Sequence, residues 1–230
     1  MAARGKKYKK AREALSVSKT YTLQEGVARV KELAYARFDE SVDVNVNLGI
    51  DASKGEQAVR GSVILPHGIG KTPVIIAFAK GDYAEAARKA GADFVGGEDL
   101  IEKIENGWMD FTYAVATPDL MGLVGKVAKV LGPRGLLPNK KSGTVTFDLG
   151  PVVEDLRRGR LFFKNDKNGL VHFSCGRVSF PITSLQENLV AFIRALASAK
   201  PPTSKGKFLR KMTISSTMGV GIPVNADEAL

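Results

Sequence analysis

The chain has 230 residues, 44% hydrophobic and 25% charged, with 24 glycines and 10 prolines, which excludes collagen-like, low-complexity and wholly disordered proteins. Lys plus Arg number 34 against 24 acidic residues, and the net charge of +10 favours a polyanionic partner. A single cysteine, Cys175, and 2 histidines exclude an intrachain disulfide and a cysteine-cluster zinc site, so neither metal nor cofactor is expected.

The chain opens on a basic arm, Arg4, Lys6, Lys7, Lys9, Lys10 and Arg12, with no acidic residue before Glu13. This stretch has no apolar core, so no secretory leader is expected. The longest strictly apolar run, Val74 to Ala79, falls far short of the roughly 18 residues that span a membrane. A soluble, cytoplasmic protein without a membrane partner is the expectation. Thr22-Leu-Gln-Glu25 is a capping box, and Leu23, Val27, Val30 and Ala34 follow at helical spacing. After Phe38 the period becomes two: Val42, Val44, Val46, Leu48 and Ile50 alternate with polar residues and glycine, as in a half-buried strand. A second strand is predicted over 59–65 and stops at Pro66-His67-Gly68.

The middle of the chain alternates strand and helix. Predicted strands at 74–79, 92–95 and 112–117 precede helices opened by Asp82 (with Glu85 as capping-box partner), by Glu98, and by Thr117 with Pro118 in its first turn. That alternation implies parallel strands covered by helices, a three-layer α/β domain. The last section returns to an exposed pattern. Residues 161–163 and 170–175 flank the turn Asn165-Asp-Lys-Asn168-Gly169 and predict a hairpin. A long helix runs from Thr183 or Ser184 to about Ala199, and two strands close the chain around Met218-Gly219.

Charge follows the same division. Residues 1–67 carry net +4, 68–159 net zero and 160–230 net +6. The simplest reading is a split α+β domain from 1–67 and 160–230 with an α/β domain, 68–159, inserted. Gly68, Gly70 and Gly159 mark the two crossings as a hinge. Three separate small domains is the alternative, although the first 67 residues would have only a marginal core.

Several motifs suggest chemistry. Gly68-Ile-Gly-Lys-Thr72 resembles the end of a phosphate loop, but Leu65 stands where its first glycine belongs and Pro73 follows where a helix should open. A dinucleotide-binding enzyme would need G-x-G-x-x-G after the first middle strand, and only Gly81 is there. Neither histidine has a catalytic partner at a recognisable spacing. His172 falls on the polar face of its strand, near Lys164 and Lys167, and suits contact with RNA; a solvated imidazole fits the pattern equally. Thr213, Ser215 and Thr217 share one strand face, and Gly219 and Gly221 remove side chains beside them. Such a surface could approach a nucleic-acid backbone closely, or be a solvated strand ending in a turn.

Six blocks then carry a resemblance. The stretch 59–71 (VRGSVILPHGIGK), Gly107-Trp-Met-Asp110, Ala116-Thr-Pro-Asp119, 131–139 (LGPRGLLPN), Asn165-Asp-Lys167 and Ser216-Thr-Met-Gly219 resemble, in order, the L-one family of bacterial large-subunit ribosomal proteins. The resemblance implies a non-enzymatic protein of the mobile ribosomal stalk, with a split RNA-binding domain and an inserted Rossmann-like domain. It implies binding to large-subunit stalk rRNA, a part in releasing exit-site tRNA, and repression of its own operon mRNA, with no small-molecule substrate. Matching the family's RNA contacts implicates Phe38, Glu40 and Ser41, the last where members often carry threonine. It also implicates Lys164, Asn165, Asp166, Lys167 and His172, then Ser215, Thr217, Met218 and Gly219. A non-ribosomal RNA chaperone is the competing reading.

Overall fold

Alternation builds the central strand. In the computed structural model, which describes residues 5–15, 19–52, 54–204, 206–226 and 228, β1 (Ser41–Leu48) buries Val42, Val44, Val46 and Leu48 and turns Ser41, Asp43, Asn45 and Asn47 outward. It lies between β7 (Leu170–Arg177) and β8 (Leu209–Ser216), and β9 (Ile222–Val224) completes an antiparallel sheet in the order β7-β1-β8-β9. The inner face packs on α2 (Leu23–Leu33) and α8 (Ile182–Ser198). The capping box at Thr22 and Glu25 is formed as expected and starts α2. Phe192 of α8 stacks on Phe173 of β7 at 4.1 Å and meets Phe163 of β6 (Arg160–Lys164) edge-on at 5.8 Å. Each such buried ring stabilises the fold by about 1.5–3 kcal/mol. The basic arm from Lys6 on is helical, α1 (Lys6–Glu13), while Arg4 lies outside the described residues.

The expected hairpin between 161–163 and 170–175 does not form. β6 pairs with β2 (Arg60–Ile64) in a separate two-stranded sheet, whereas β7 pairs with β1. Asn165 directs the separation: its N–H donates to the Val59 carbonyl (3.0 Å) and its Oδ1 accepts the Val59 N–H (2.8 Å). Across the turn the two arms meet at the Asn165–Val171 bridge and through the Asp166 N–H, which donates to the Leu170 carbonyl (2.8 Å).

The contiguous middle of the chain has continuous apolar strands. β3 (Ile75–Phe78) is wholly buried between β4 (Phe94–Gly96) and β5 (Tyr113–Ala116), in parallel register. On one face lie α3 (Asp82–Lys89) and α7 (Leu149–Arg157). On the other, α4 (Glu98–Glu105), α5 (Met121–Val124) and α6 (Ala128–Leu131) supply Leu100, Ile101, Ile104, Val124 and Leu131 to the core. This is the expected three-layer α/β arrangement. Two details differ. Asp82 is the first residue of α3 rather than its cap, which is Gly81, and no side chain caps that helix. The helix expected after Thr117 is a broken series of short helical turns, with a 3-10 turn that opens at Gly125 separating α5 from α6.

Contacts divide the chain into two compact units, one reaching Gly70 and resuming at Leu161, the other Lys71–Arg160. The first boundary falls three residues beyond the expected 67/68, and the second one residue beyond the expected 159/160. The buried Asn188 of α8 explains the first shift. Its Oδ1 accepts the His67 N–H (3.1 Å), and its Nδ2 donates to the Gly68 (3.0 Å) and Cys175 (2.8 Å) carbonyls. Gly70, at φ +71°, sits where a β-carbon would press on Arg177 and Phe180. Gly68 and Gly70 are therefore bound into the flanking unit. Gly159, at φ +103°, follows the C-cap of α7, and its N–H donates to the Leu156 carbonyl.

Candidate nucleic-acid interface

The predicted contact residues gather at the two ends of one polar face. At the first end, Thr217 extends the ladder past β8. Its N–H donates to the Ser41 carbonyl (3.1 Å), its Oγ1 accepts the Ser41 N–H (2.9 Å), and the two hydroxyl oxygens lie 3.1 Å apart. Glu40 sits behind this pair and is only 2% exposed. Its Oε1 accepts the Ala36 N–H (2.8 Å) and its Oε2 the Met218 N–H (2.9 Å). Burial works against its charge, yet hydrogen bonds from the Ser216 hydroxyl and from the Met218, Ala36 and Tyr35 N–H groups together hold the carboxyl below its ordinary value. Glu40 is thus a brace inside the protein, and its carboxylate is not presented at the surface.

The brace holds two apolar side chains in the open. Phe38 is 56% and Met218 53% exposed. The Tyr35 hydroxyl donates to the Met218 carbonyl (2.6 Å), and the Gly219 N–H to the Ser216 carbonyl (3.1 Å). A methyl group at Gly219 would strike the Ser216 hydroxyl, so this close turn requires glycine. Asp39 ties in the neighbouring loop, accepting from the Ser179 N–H (3.1 Å) and hydroxyl (2.8 Å), while Arg177 donates to the Asp39 carbonyl (2.7 Å).

The second end is the 165–169 turn. Asp166 Oδ1 accepts the N–H groups of Leu170 (2.7 Å) and Asn168 (2.9 Å). The Leu170 bond foremost, with Asn168 and the nearby His172 assisting, keeps this carboxyl below its ordinary value. Asn165 donates to the Asp166 carbonyl (2.9 Å). Asn165 and Asp166 therefore shape the turn, and Lys164 and Lys167 project from it, exposed. Between the two ends runs the outer sheet face. Asn45 is flanked in register by His172 and Thr213, and Asp43 by Ser174 and Ser215. His172 Nδ1 lies 2.6 Å from Asn45 Oδ1, and its Nε2 lies 3.8 Å from Asp166 Oδ2. The contact with Asn45 anchors the His172 ring on the outer face.

The sequence does not reveal that these clusters lie apart. Six strand steps from Ser41 to Asn47 separate them by roughly 20 Å. Tyr35, Asn45, Arg177 and Asp39 also escaped notice, because their roles depend on strand register and loop closure. A partner that touches both ends must be long, polyanionic and able to accept an apolar wedge. No cluster of metal-ligating side chains occurs among the described residues. Cys175 is fully buried, and burial foremost pushes its thiol up, so it is inert. No helix opens at Lys71-Thr72, so the phosphate-loop reading has no structural support.

These features define a two-unit α/β nucleic-acid-binding protein. Residues 30–220 match the model of the ribosomal protein L1p/L10e family. The chain is 50% identical over 226 residues to "Large ribosomal subunit protein uL1" of Thermus thermophilus, covering 98% of this chain and 99% of that one. It is 50% identical over 222 residues to the protein of that name from Desulfosudis oleivorans, covering 96% and 95% of the two chains. The corresponding protein of Desulfotalea psychrophila is 48% identical over 225 residues, covering 98% and 96%. The chain belongs to the ribosomal protein L1p/L10e family. It is a structural, rRNA-binding protein of the large ribosomal subunit in the cytoplasm, and not an enzyme.

Proposed function

We propose that the unit formed by the two chain ends grips the rRNA of the mobile stalk through the outer sheet face. The observation that carries this reading is the pair Phe38 and Met218, exposed apolar groups on two adjoining loops whose polar atoms are used internally. Exposed apolar surface on a braced, polar platform suits stacking and close shape contact with bases and sugars. Thr217, Ser41, Ser215 and His172 offer hydrogen bonds, and Lys164 and Lys167 meet phosphates. Glu40, Asn165, Asp166 and Gly219 act by fixing these neighbours. The second unit, close to neutral, would ride on two crossings near Gly70 and Gly159 that serve as a hinge. On this reading the protein assists release of exit-site tRNA and represses its own operon mRNA through the same face. A non-ribosomal RNA chaperone would instead discriminate weakly among structured RNAs.

Lysine contacts at the turn give a salt-sensitive test. Changing Lys164 and Lys167 together to Ala should flatten the plot of log affinity against log salt for a stalk-rRNA fragment by about one to two units, at about 0.7–0.9 per phosphate. An unchanged slope would place both lysines in solvent.

A further inference from the structure

A second basic site adjoins the proposed RNA face, and its cations lie outside every motif above. Beyond β9 the sheet gains one more pairing. The Tyr21 N–H donates to the Pro223 carbonyl (3.0 Å), and the Asn225 N–H donates to the Tyr21 carbonyl (3.0 Å). This places Lys19 and Thr20 at the sheet edge. Between this edge and β8 lies a hollow of about 410 Å³ lined by Lys19, Thr20, Lys207, Arg210, Lys211 and Thr213, among others, with no carboxylate in its wall among the described residues. Lys19 is held over the Tyr21 ring, its Nζ 5.3 Å from the centroid. The four cations and both threonines reach the hollow from two chain segments far apart in sequence, so folding is what brings Lys19 to the other three.

We infer that this hollow binds the phosphate backbone of the RNA that lies on the sheet, extending the interface past β8 to the sheet edge. Continuity is the first argument. Lys211 pairs in register with Asn47, and Thr213 with Asn45, the residue that meets His172. RNA crossing the outer face from His172 thus reaches Thr213 and Lys211 next. Charge is the second. Basic side chains gathered around one concavity attract a polyanion, which releases its own counterions on binding. Hydroxyl groups among them match phosphate oxygens. The occupant follows from the neighbouring site, so the inference rests on the proposed rRNA contact.

Arg210 and Lys211 are exposed, and Arg210→Ala with Lys211→Ala tests the hollow. Against a stalk-rRNA fragment, the double variant should lose about ten-fold in affinity at low salt. Its salt slope should fall by about one to two units, and the loss should add to that of the turn lysines. A second measurement needs no variant. Acetylation of the wild-type chain, read by mass spectrometry, should show Lys19, Lys207 and Lys211 protected by bound RNA while Lys103 keeps its reactivity. Unchanged affinity and slope, or unprotected lysines in an RNA complex, overturns the inference and leaves the sheet-face contact standing. Failure of the wild type to prefer stalk rRNA over a scrambled duplex overturns both.

Discussion

Glu40→Ala is expected to lower stability by about 2–4 kcal/mol and to weaken stalk-rRNA binding by more than ten-fold. The reason is the number of donors that converge on one buried carboxylate. Removing it leaves the Ala36 and Met218 N–H groups without their acceptor, and the Ser216 hydroxyl without its partner. Each orphaned buried group costs about 1–3 kcal/mol, reduced where water enters the space left behind. The segments carrying Phe38 and Met218 then lose their fixed spacing, which couples the stability loss to binding. Glu40→Gln keeps the shape but not the charge and should fall between the two. The pH dependence has a definite sign. The folded carboxyl releases its proton more readily than the unfolded one. Its stabilising charge is therefore fully present above the ordinary value of 4.5 and is lost as pH falls through the lowered folded value. Denaturant titrations of wild type and Glu40→Gln, run from neutrality toward about pH 3, should show their stability gap narrowing below that point. A gap independent of pH would mean that the charge contributes nothing.

Thr217→Val is expected to weaken rRNA binding by about five- to 150-fold, equivalent to about 1–3 kcal/mol. Strand preference alone would make this a mild change. The structure adds a second role for the hydroxyl: it already accepts the Ser41 N–H at 2.9 Å and lies 3.1 Å from the Ser41 hydroxyl. A hydroxyl has one donor and two acceptor positions, and its longest tie, the donation to the Ser41 carbonyl at 3.5 Å, is the position that RNA would take over. Valine removes both the Ser41 tie and that position. Thr217→Ser restores both and should bind within about two-fold of wild type, at the scale of a few tenths of a kcal/mol. The loss should persist at high salt, since no phosphate neutralisation is involved. Titration of the three proteins at two salt concentrations checks this, and a valine variant that binds like wild type removes Thr217 from the interface.

What the sequence disclosed depended on how local the cause was. The alternation at 42–50 and the Thr22–Glu25 spacing are local patterns, and β1 and α2 form where those patterns place them. The continuous apolar run at 74–79 correctly implied a buried parallel strand. Long-range choices were hidden. Nothing in residues 161–175 shows that β6 prefers β2, because the deciding hydrogen bonds run from Asn165 to Val59, more than a hundred positions away. The exposed members of the candidate site, Phe38, Lys164, Lys167, His172 and Met218, could be singled out through the family resemblance. Glu40 could be singled out but not understood, since its burial depends on loops meeting from both chain ends. The basic hollow was hidden as a site, because Lys19 joins Lys207, Arg210 and Lys211 only after β9 takes its place in the sheet.

The central claim is that stalk rRNA lies on the outer sheet face of the flanking unit. Ultraviolet crosslinking of the full chain to a stalk-rRNA fragment, with crosslinked peptides identified by mass spectrometry, tests it most directly. Crosslinks are expected in the peptides that carry Phe38, residues 164–172 and residues 215–219. Crosslinks confined to residues 71–160 would contradict the claim.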